Sequence, residues 1–279
     1  MWRFRLVALA SILIAWPIAD ASCTTRGNPW TVVTVREPRS SDVTFEVATN
    51  YLWPSEDANN VPGPDSLAAH VRTDEKHHAY IEIEDLRTGR STLLFDANAC
   101  LPQWSRDGKY IACSVWKSHR QLGQLTVVDV ARRAIILDPD LTAWTYKWSP
   151  DSRMLAAQGM PLMSPFSKLY AVSVPEGEVA VLDSTNVLTE YEFAWSPDGR
   201  WIAFTRPTKV DHYGEPIAAD LWIADVTTRA AWRLLETPEW IDSNPLWITD
   251  RAIQLDRVYW NGTDRIREQR VVVELSYKE

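Results

Sequence analysis

Short apolar runs broken by tight polar turns make up most of this chain, and one run-turn-run phrase recurs. Trp195-Ser196-Pro197-Asp198-Gly199-Arg200-Trp201-Ile202-Ala203 is its clearest form. Trp148 to Ala156 repeats it around Ser149-Pro150-Asp151-Ser152, and Trp104 to Ala112 around Ser105-Arg106-Asp107-Gly108. In each, Asp follows Trp by three residues and an aliphatic residue follows by seven. Trp247-Ile248-Thr249-Asp250-Arg251-Ala252-Ile253 is a form one residue shorter. The phrase predicts a β-hairpin. Pro presets φ at the first corner of a type I turn, Asp bonds back to the local backbone, and Gly accepts the left-handed position. Strand-like apolar positions flank the turn on both sides.

Two further strands follow each hairpin. Leu125 to Val130 and Ala134 to Leu137 follow the first clear copy, Leu169 to Val174 and Val179 to Leu182 the second, Leu221 to Val226 and Trp232 to Leu235 the third. The frame extends backward through Ser66 to Arg72, His78 to Leu86 and Ser91 to Phe95. It places Trp53 in the first-strand position, with residues 56–65 as an enlarged turn. The repeat tryptophans are then Trp53, Trp104, Trp148, Trp195 and Trp247, spaced 44 to 52 residues apart, and the recurring turn acids are Asp107, Asp151, Asp198 and Asp250. Four strands at that period are the signature of a propeller blade, whereas a β-sandwich would not repeat one phrase at this spacing. The last unit supplies three strands, and Trp30 to Val35 or Val43 to Val47 can add the fourth and close the ring. The expectation is an all-β propeller over residues 28–279 with five four-stranded blades, or six if the terminal segments contribute more strands.

Composition changes this picture little. The 279 residues include 15 Trp, as a repeated packing position requires, and carry a net charge of −8. No Lys/Arg run relieves that charge, which argues against a nucleic-acid partner. The Trp-Ser-Pro-Asp-Gly-Arg-x-Ile-Ala-Phe phrase at Trp195 to Phe204 resembles the propeller repeat of the TolB-like family, also described as WD-like Pro-Asp repeats. The resemblance covers roughly residues 50 to 275 and reaches only the propeller part; the α/β domain that precedes it in TolB has no counterpart here. It implies a periplasmic protein-interaction platform. The same repeat precedes the catalytic domain of prolyl-oligopeptidase-like peptidases, but no G-x-S-x-G elbow occurs in this sequence.

The first residues read as an address. Two Arg lie in Met1 to Arg5, an apolar run follows to Ala19, and Ala19-Asp20-Ala21 fits a small-x-small cleavage pattern. Residues 1–21 are therefore expected to be an export signal of a bacterial envelope protein. Asp20-Ala21-Ser22-Cys23 also resembles a lipobox, although the family pattern wants Leu or similar where Asp20 stands. Cys23 is thus a candidate for lipidation after cleavage at residue 22, which would tether the protein to the outer membrane; a free periplasmic chain is the rival. Cys100 and Cys113 flank the first clear hairpin and are a candidate diagonal disulfide.

Candidate chemistry is sparse. The histidines at 70, 77, 78, 119 and 212 show no metal-ligand spacing, and the turn Asp recurs because the turn needs it. No catalytic residue, metal or cofactor is expected. The turns share one face of a propeller, so binding is expected on the other, where longer loops run. Phe166 lies in one such loop, and His212, Tyr213 and Glu215 in another. Trp144, Tyr146, Tyr191 and Trp240 stand on the connections between blades. The expected function is a non-enzymatic interaction module with an envelope-protein or glycan partner. The alternatives are an enzyme or glycan/metal sensor with a channel site, and a detached regulatory propeller of a peptidase system. Intact mass of the mature protein decides the tether: lipid on Cys23 supports anchoring, and an unmodified chain starting at Ser22 excludes it.

Overall fold

The computed structural model describes residues 27–39, 60–96, 98–116, 123–161, 167–187, 192–212, 216–260 and 265–278. All regular elements among them are strands. After β1 (Trp30–Arg36), the first blade is β2 (Asn60–Pro62), β3 (Leu67–Thr73), β4 (Ala79–Asp85) and β5 (Arg90–Phe95). The second is β6 (Ala99–Trp104), β7 (Tyr110–Val115), β8 (Gln124–Asp129) and β9 (Ala134–Leu137). The third is β10 (Leu141–Trp148), β11 (Met154–Pro161), β12 (Ser167–Ser173) and β13 (Val179–Val187). The fourth is β14 (Phe193–Trp195), β15 (Trp201–Val210), β16 (Pro216–Asp225) and β17 (Ala230–Arg233). The fifth holds β18 (Trp240–Thr249), β19 (Ala252–Trp260) and β20 (Arg265–Tyr277). Its fourth strand is β1, antiparallel to β20 from Trp30↔Tyr277 to Arg36↔Val272. The chain thus forms five four-stranded blades, and the last is assembled from both ends of the described chain. The other candidate for that strand, Val43 to Val47, lies outside the described residues.

Apolar side chains from facing sheets fill the spaces between consecutive blades. Ile81 and Ile83 of the first blade meet Ile111, Cys113 and Val115 of the second. Leu125 and Val127 meet Tyr146, Trp148 and Leu155 of the third. Leu169 and Leu182 meet Phe193, Trp195, Ile202 and Phe204 of the fourth. Leu221 and Ile223 meet Trp247, Ile253, Leu255 and Val273 of the fifth. Burial of this kind, at about 25 cal/mol per Å² of apolar surface, drives blade stacking.

A polar tie repeats across the same junctions. Trp104 Nε1 donates to the Val61 carbonyl at 3.2 Å, Trp148 Nε1 to that of Gln103 at 3.0 Å, and Trp195 Nε1 to that of Lys147 at 2.9 Å. Each acceptor belongs to the first strand of the preceding blade, and two of the three directly precede a repeat Trp. By the same rule Val61 precedes the first blade's copy, so Pro62 stands where Trp stands elsewhere. Gly63-Pro64-Asp65-Ser66 is then that blade's turn, and Pro62 pairs with Ala68 across it. This corrects the assignment of Trp53 to that position and of residues 56–65 to the turn; Trp53 itself lies outside the described residues. The indole of Trp104 explains Gly63, because a Cβ there would sit 2.5 Å from its Cε2.

The turn itself depends on a serine that the phrase makes easy to overlook. Ser105 Oγ donates to Asp107 Oδ1 at 2.8 Å and accepts the Tyr110 N–H at 2.9 Å, while Asp107 Oδ1 accepts the Lys109 N–H at 3.1 Å. Ser149 with Asp151, and Ser196 with Asp198, repeat the arrangement. The three serines are buried, so each hydroxyl must find partners inside the turn. The Trp247 copy departs from this. Its shorter turn uses the Thr249 hydroxyl to accept the Arg251 N–H at 3.1 Å, so Asp250 does not serve as the other turn acids do. A second turn, between third and fourth strands, repeats as well. Asp85, Asp129 and Asp225 close β4, β8 and β16 and accept the N–H groups of Arg87, Arg132 and Thr227 at 2.7 to 2.9 Å.

The last junction is built differently. Trp247 Nε1 is buried and has no hydrogen-bond partner among the described residues. Trp30, brought in by β1, packs edge-on against Trp201 at 5.4 Å, Trp247 at 6.3 Å and Tyr277 at 5.0 Å between centroids. Aromatic edge contacts thus take the place of the indole–carbonyl tie. Urea unfolding tests the tie where it exists. Trp195→Phe, which keeps a ring and removes the N–H, is expected to cost about 1 kcal/mol, and Trp195→Ala about 3–5 kcal/mol. A Phe variant as stable as the parent would contradict the role given to the N–H.

Candidate interaction surface

Both hairpin turns of a blade lie on one face, where backbone bonds knit them together: Val130 N–H to Lys109 O, Val174 N–H to Arg153 O and Val226 N–H to Arg200 O. That face is tight. The opposite face carries the hairpins between second and third strands and the connections between blades. Two of those hairpins are long, β15–β16 in the fourth blade and β19–β20 in the fifth.

On the fifth blade, cross-strand pairing orders the side chains in rows. Trp247, Ile253 and Val273 form an apolar row near the turn face. Nearer the opposite face comes the row Asp242, Arg257 and Gln269, and then Trp240, Tyr259 and Arg267. The surface therefore changes from core to charge to aromatic rings along one sheet. Trp240 and Tyr259 are half-buried, with centroids 5.5 Å apart and ring planes at 60°. The guanidinium carbons of Arg257 and Arg267 lie 6.0 Å and 5.9 Å from the Trp240 centroid, within cation–π range.

A fixed charge network lies beneath this row. Arg257 donates Nε to Asp242 Oδ1 at 2.7 Å and Nη2 to Oδ2 at 3.1 Å. Thr237, on the connection from the fourth blade, donates its N–H to Asp220 Oδ1 at 2.8 Å. The Thr237 hydroxyl lies 3.2 Å from Asp220 and 3.3 Å from Asp242 Oδ2, bridging two buried carboxylates. Burial pushes the Asp242 carboxyl up, Asp220 adds to the rise, and Arg257 opposes it. Arg233 Nη1 approaches Asp220 Oδ2 at 3.4 Å. On the neighbouring arm, Lys209 Nζ donates to the Pro238 carbonyl at 3.2 Å and ties β15 to the connection that leads into Trp240.

The remaining expected binding residues scatter. Tyr146 is corrected: it is 1% exposed, packs in the junction between second and third blades, and donates its hydroxyl to the Leu101 carbonyl. Trp144 is half-buried at a bulge in β10, where the register shifts between Ala143 and Thr145. His212 is exposed at the tip of the fourth-blade arm. Phe166, Tyr191, Tyr213, Glu215 and Cys23 lie outside the described residues. Tyr259, Arg257, Arg267 and the Asp220–Thr237–Asp242 bridge escaped the sequence reading. Alternation along β19 places Arg257 and Tyr259 on one face, but their pairing with Trp240 depends on register.

A second polar group lines the first strands. Lys147 Nζ donates to the Phe193 carbonyl at 2.6 Å, and burial pulls its amine down to about 8 against the opposing charge of Glu192. Glu192 in turn accepts the backbone N–H of Asn244, which sits at φ 48°.

Cys100 and Cys113 are free thiols. An unbulged hairpin would put Pro102 opposite Cys113, with Cys100 on the same face. Instead β6 bulges between Cys100 and Gln103, with Leu101 at φ 54°, and Cys100 pairs with Ser114. One extra residue moves a side chain to the other face of the sheet, which removes the diagonal geometry. Burial pushes the Cys100 thiol up to about 12 and the Cys113 thiol up as well. Native protein is therefore expected to resist alkylation at both, and unfolded protein to take label at both without reduction. Label at Cys100 and Cys113 only after reduction would restore the disulfide.

No family model and no curated protein matches the chain. Solved structures do. The β-propeller domain of the trilobed protease from Pyrococcus furiosus, with an open velcro topology, superposes with TM-score 0.56 and 17% identity, over 77% of this chain and 68% of that one. An oligogalacturonate lyase in complex with manganese gives 0.52 and 15%, over 78% of this chain and 64% of that one. TolB from Acinetobacter baumannii gives 0.44 and 17%, over 79% and 55%, a likeness too low to bear on the assignment. At these identities the first two likenesses show the fold alone: this chain is an all-β propeller.

Proposed function

We propose that this propeller is a non-enzymatic binding module of the bacterial cell envelope, exported by its N-terminal segment, and that it engages its partner on the face opposite the turns. The observation that supports this reading is the row of Trp240, Tyr259 and Arg267, seated on the Asp242–Arg257 pair. Trp, Tyr and Arg are the residues enriched at binding hot spots, and a floor fixed before binding lowers the ordering cost. Lys147 and Glu192 favour a second reading, in which a small ligand binds along the axis.

Crosslinking in the native envelope, followed by partner identification, tests the first reading. An envelope protein recovered with the parent chain and lost with Trp240→Ala is the expected result. Recovery of no envelope protein, together with binding of a metal ion or small glycoside by the purified chain, would overturn it in favour of the axial site.

A further inference from the structure

Resting on that reading, we propose that the Trp240–Tyr259–Arg267 row docks an acidic, carboxylate-bearing segment of a partner polypeptide. Three observations on the fifth blade carry the assignment.

The first is the unequal state of the two guanidinium groups. Arg257 is committed: both of its bonds go to Asp242, and its side chain is 12% exposed. Arg267 is exposed and enters no ion pair among the described residues, its contact being the Trp240 ring. Glu268 pairs with Val258 and, by alternation, belongs to the opposite face. The row therefore presents a planar donor fork whose best complement is a carboxylate, taken in two parallel N–H···O bonds.

The second is ring geometry. Trp240 and Tyr259 meet at 60° and guanidinium groups flank Trp240, so the pair offers ring edges rather than one flat face. A pyranose ring seeks a flat face. Side chains of an extended peptide fit an angled pair, with an acidic residue reaching Arg267.

The third is charge. The chain as a whole carries −8, so an acidic partner is repelled except where cations gather. Arg257 and Arg267 share this face of the hairpin, and because Asp242 binds Arg257, the cation presented to a partner is Arg267. Binding should therefore be local and should weaken as salt rises.

A fluorescein-labelled decaglutamate peptide and an oligogalacturonate of matched charge, titrated separately by fluorescence anisotropy, test the proposal. The parent protein is expected to bind the peptide and to lose affinity with salt. Arg267→Ala should weaken it roughly tenfold with an unchanged melting curve, and Arg267→Lys should recover only part of the loss. Equal peptide affinity of parent and Arg267→Ala, or preference for the oligogalacturonate, overturns the proposal. Photocrosslinkers at Arg267 and at Lys76, which is exposed on the β3–β4 hairpin of the first blade, separate this surface from the broader reading when placed in the native envelope. An envelope protein captured at 267 supports both, and capture at 76 alone sinks the surface but keeps the binding reading. Capture at neither position sinks both.

Discussion

Most of the outer edge of a blade's first strand has no strand beside it, since β10 and β18 meet the preceding blade in one pair each, Thr142↔Gln124 and Ile241↔Ala219, and the structure depends on how that edge is satisfied. Buried carbonyls without partners cost about as much as a lost hydrogen bond, and unpaired edges invite wrong pairing. Here the next blade supplies the donor. Indole N–H groups of Trp104, Trp148 and Trp195 reach back to Val61, Gln103 and Lys147, and the Tyr146 hydroxyl reaches Leu101 in the same way. One residue type thus does two jobs at the first three junctions. Its ring fills the apolar space between sheets, and its single polar atom seals the edge behind it. That double use accounts for the regular spacing of Trp104, Trp148 and Trp195.

The tie also explains where the repeat breaks down. The first blade has no repeat Trp among its described residues, and Pro62 fills that place. At the last junction Trp247 makes no indole bond, and Trp30 from the start of the chain wedges into an aromatic group with Trp201 and Tyr277. The interaction row stands on this irregular blade. The three-residue chemistry of Trp240, Tyr259 and Arg267 is confined to one blade, as a recognition surface can be and a structural repeat is not.

The parts legible in sequence were those fixed by local chemistry. Trp and Asp spacing gave the blades, and turn residues gave the hairpins. The start of the chain offered a strand at Trp30 that the last blade does use. What escaped depended on register. A bulge at Leu101 separates Cys100 from Cys113, and the alternation of β10 turns Tyr146 inward although its neighbours suggested a surface position. Val61 and Gly63 identify the first blade's turn only once the Trp104 indole is seen to rest there. The Asp220–Thr237–Asp242 bridge joins residues on two strands and a connection, and no spacing rule links them.

Hydrogen exchange at the indole groups tests the central claim most directly. In D₂O, the Nε1–H signals of Trp104, Trp148 and Trp195 should persist until the whole propeller opens, while that of half-buried Trp240 disappears early. Exchange of the three at the rate of Trp240, in protein that remains folded, would show that the carbonyl ties do not hold the blades together.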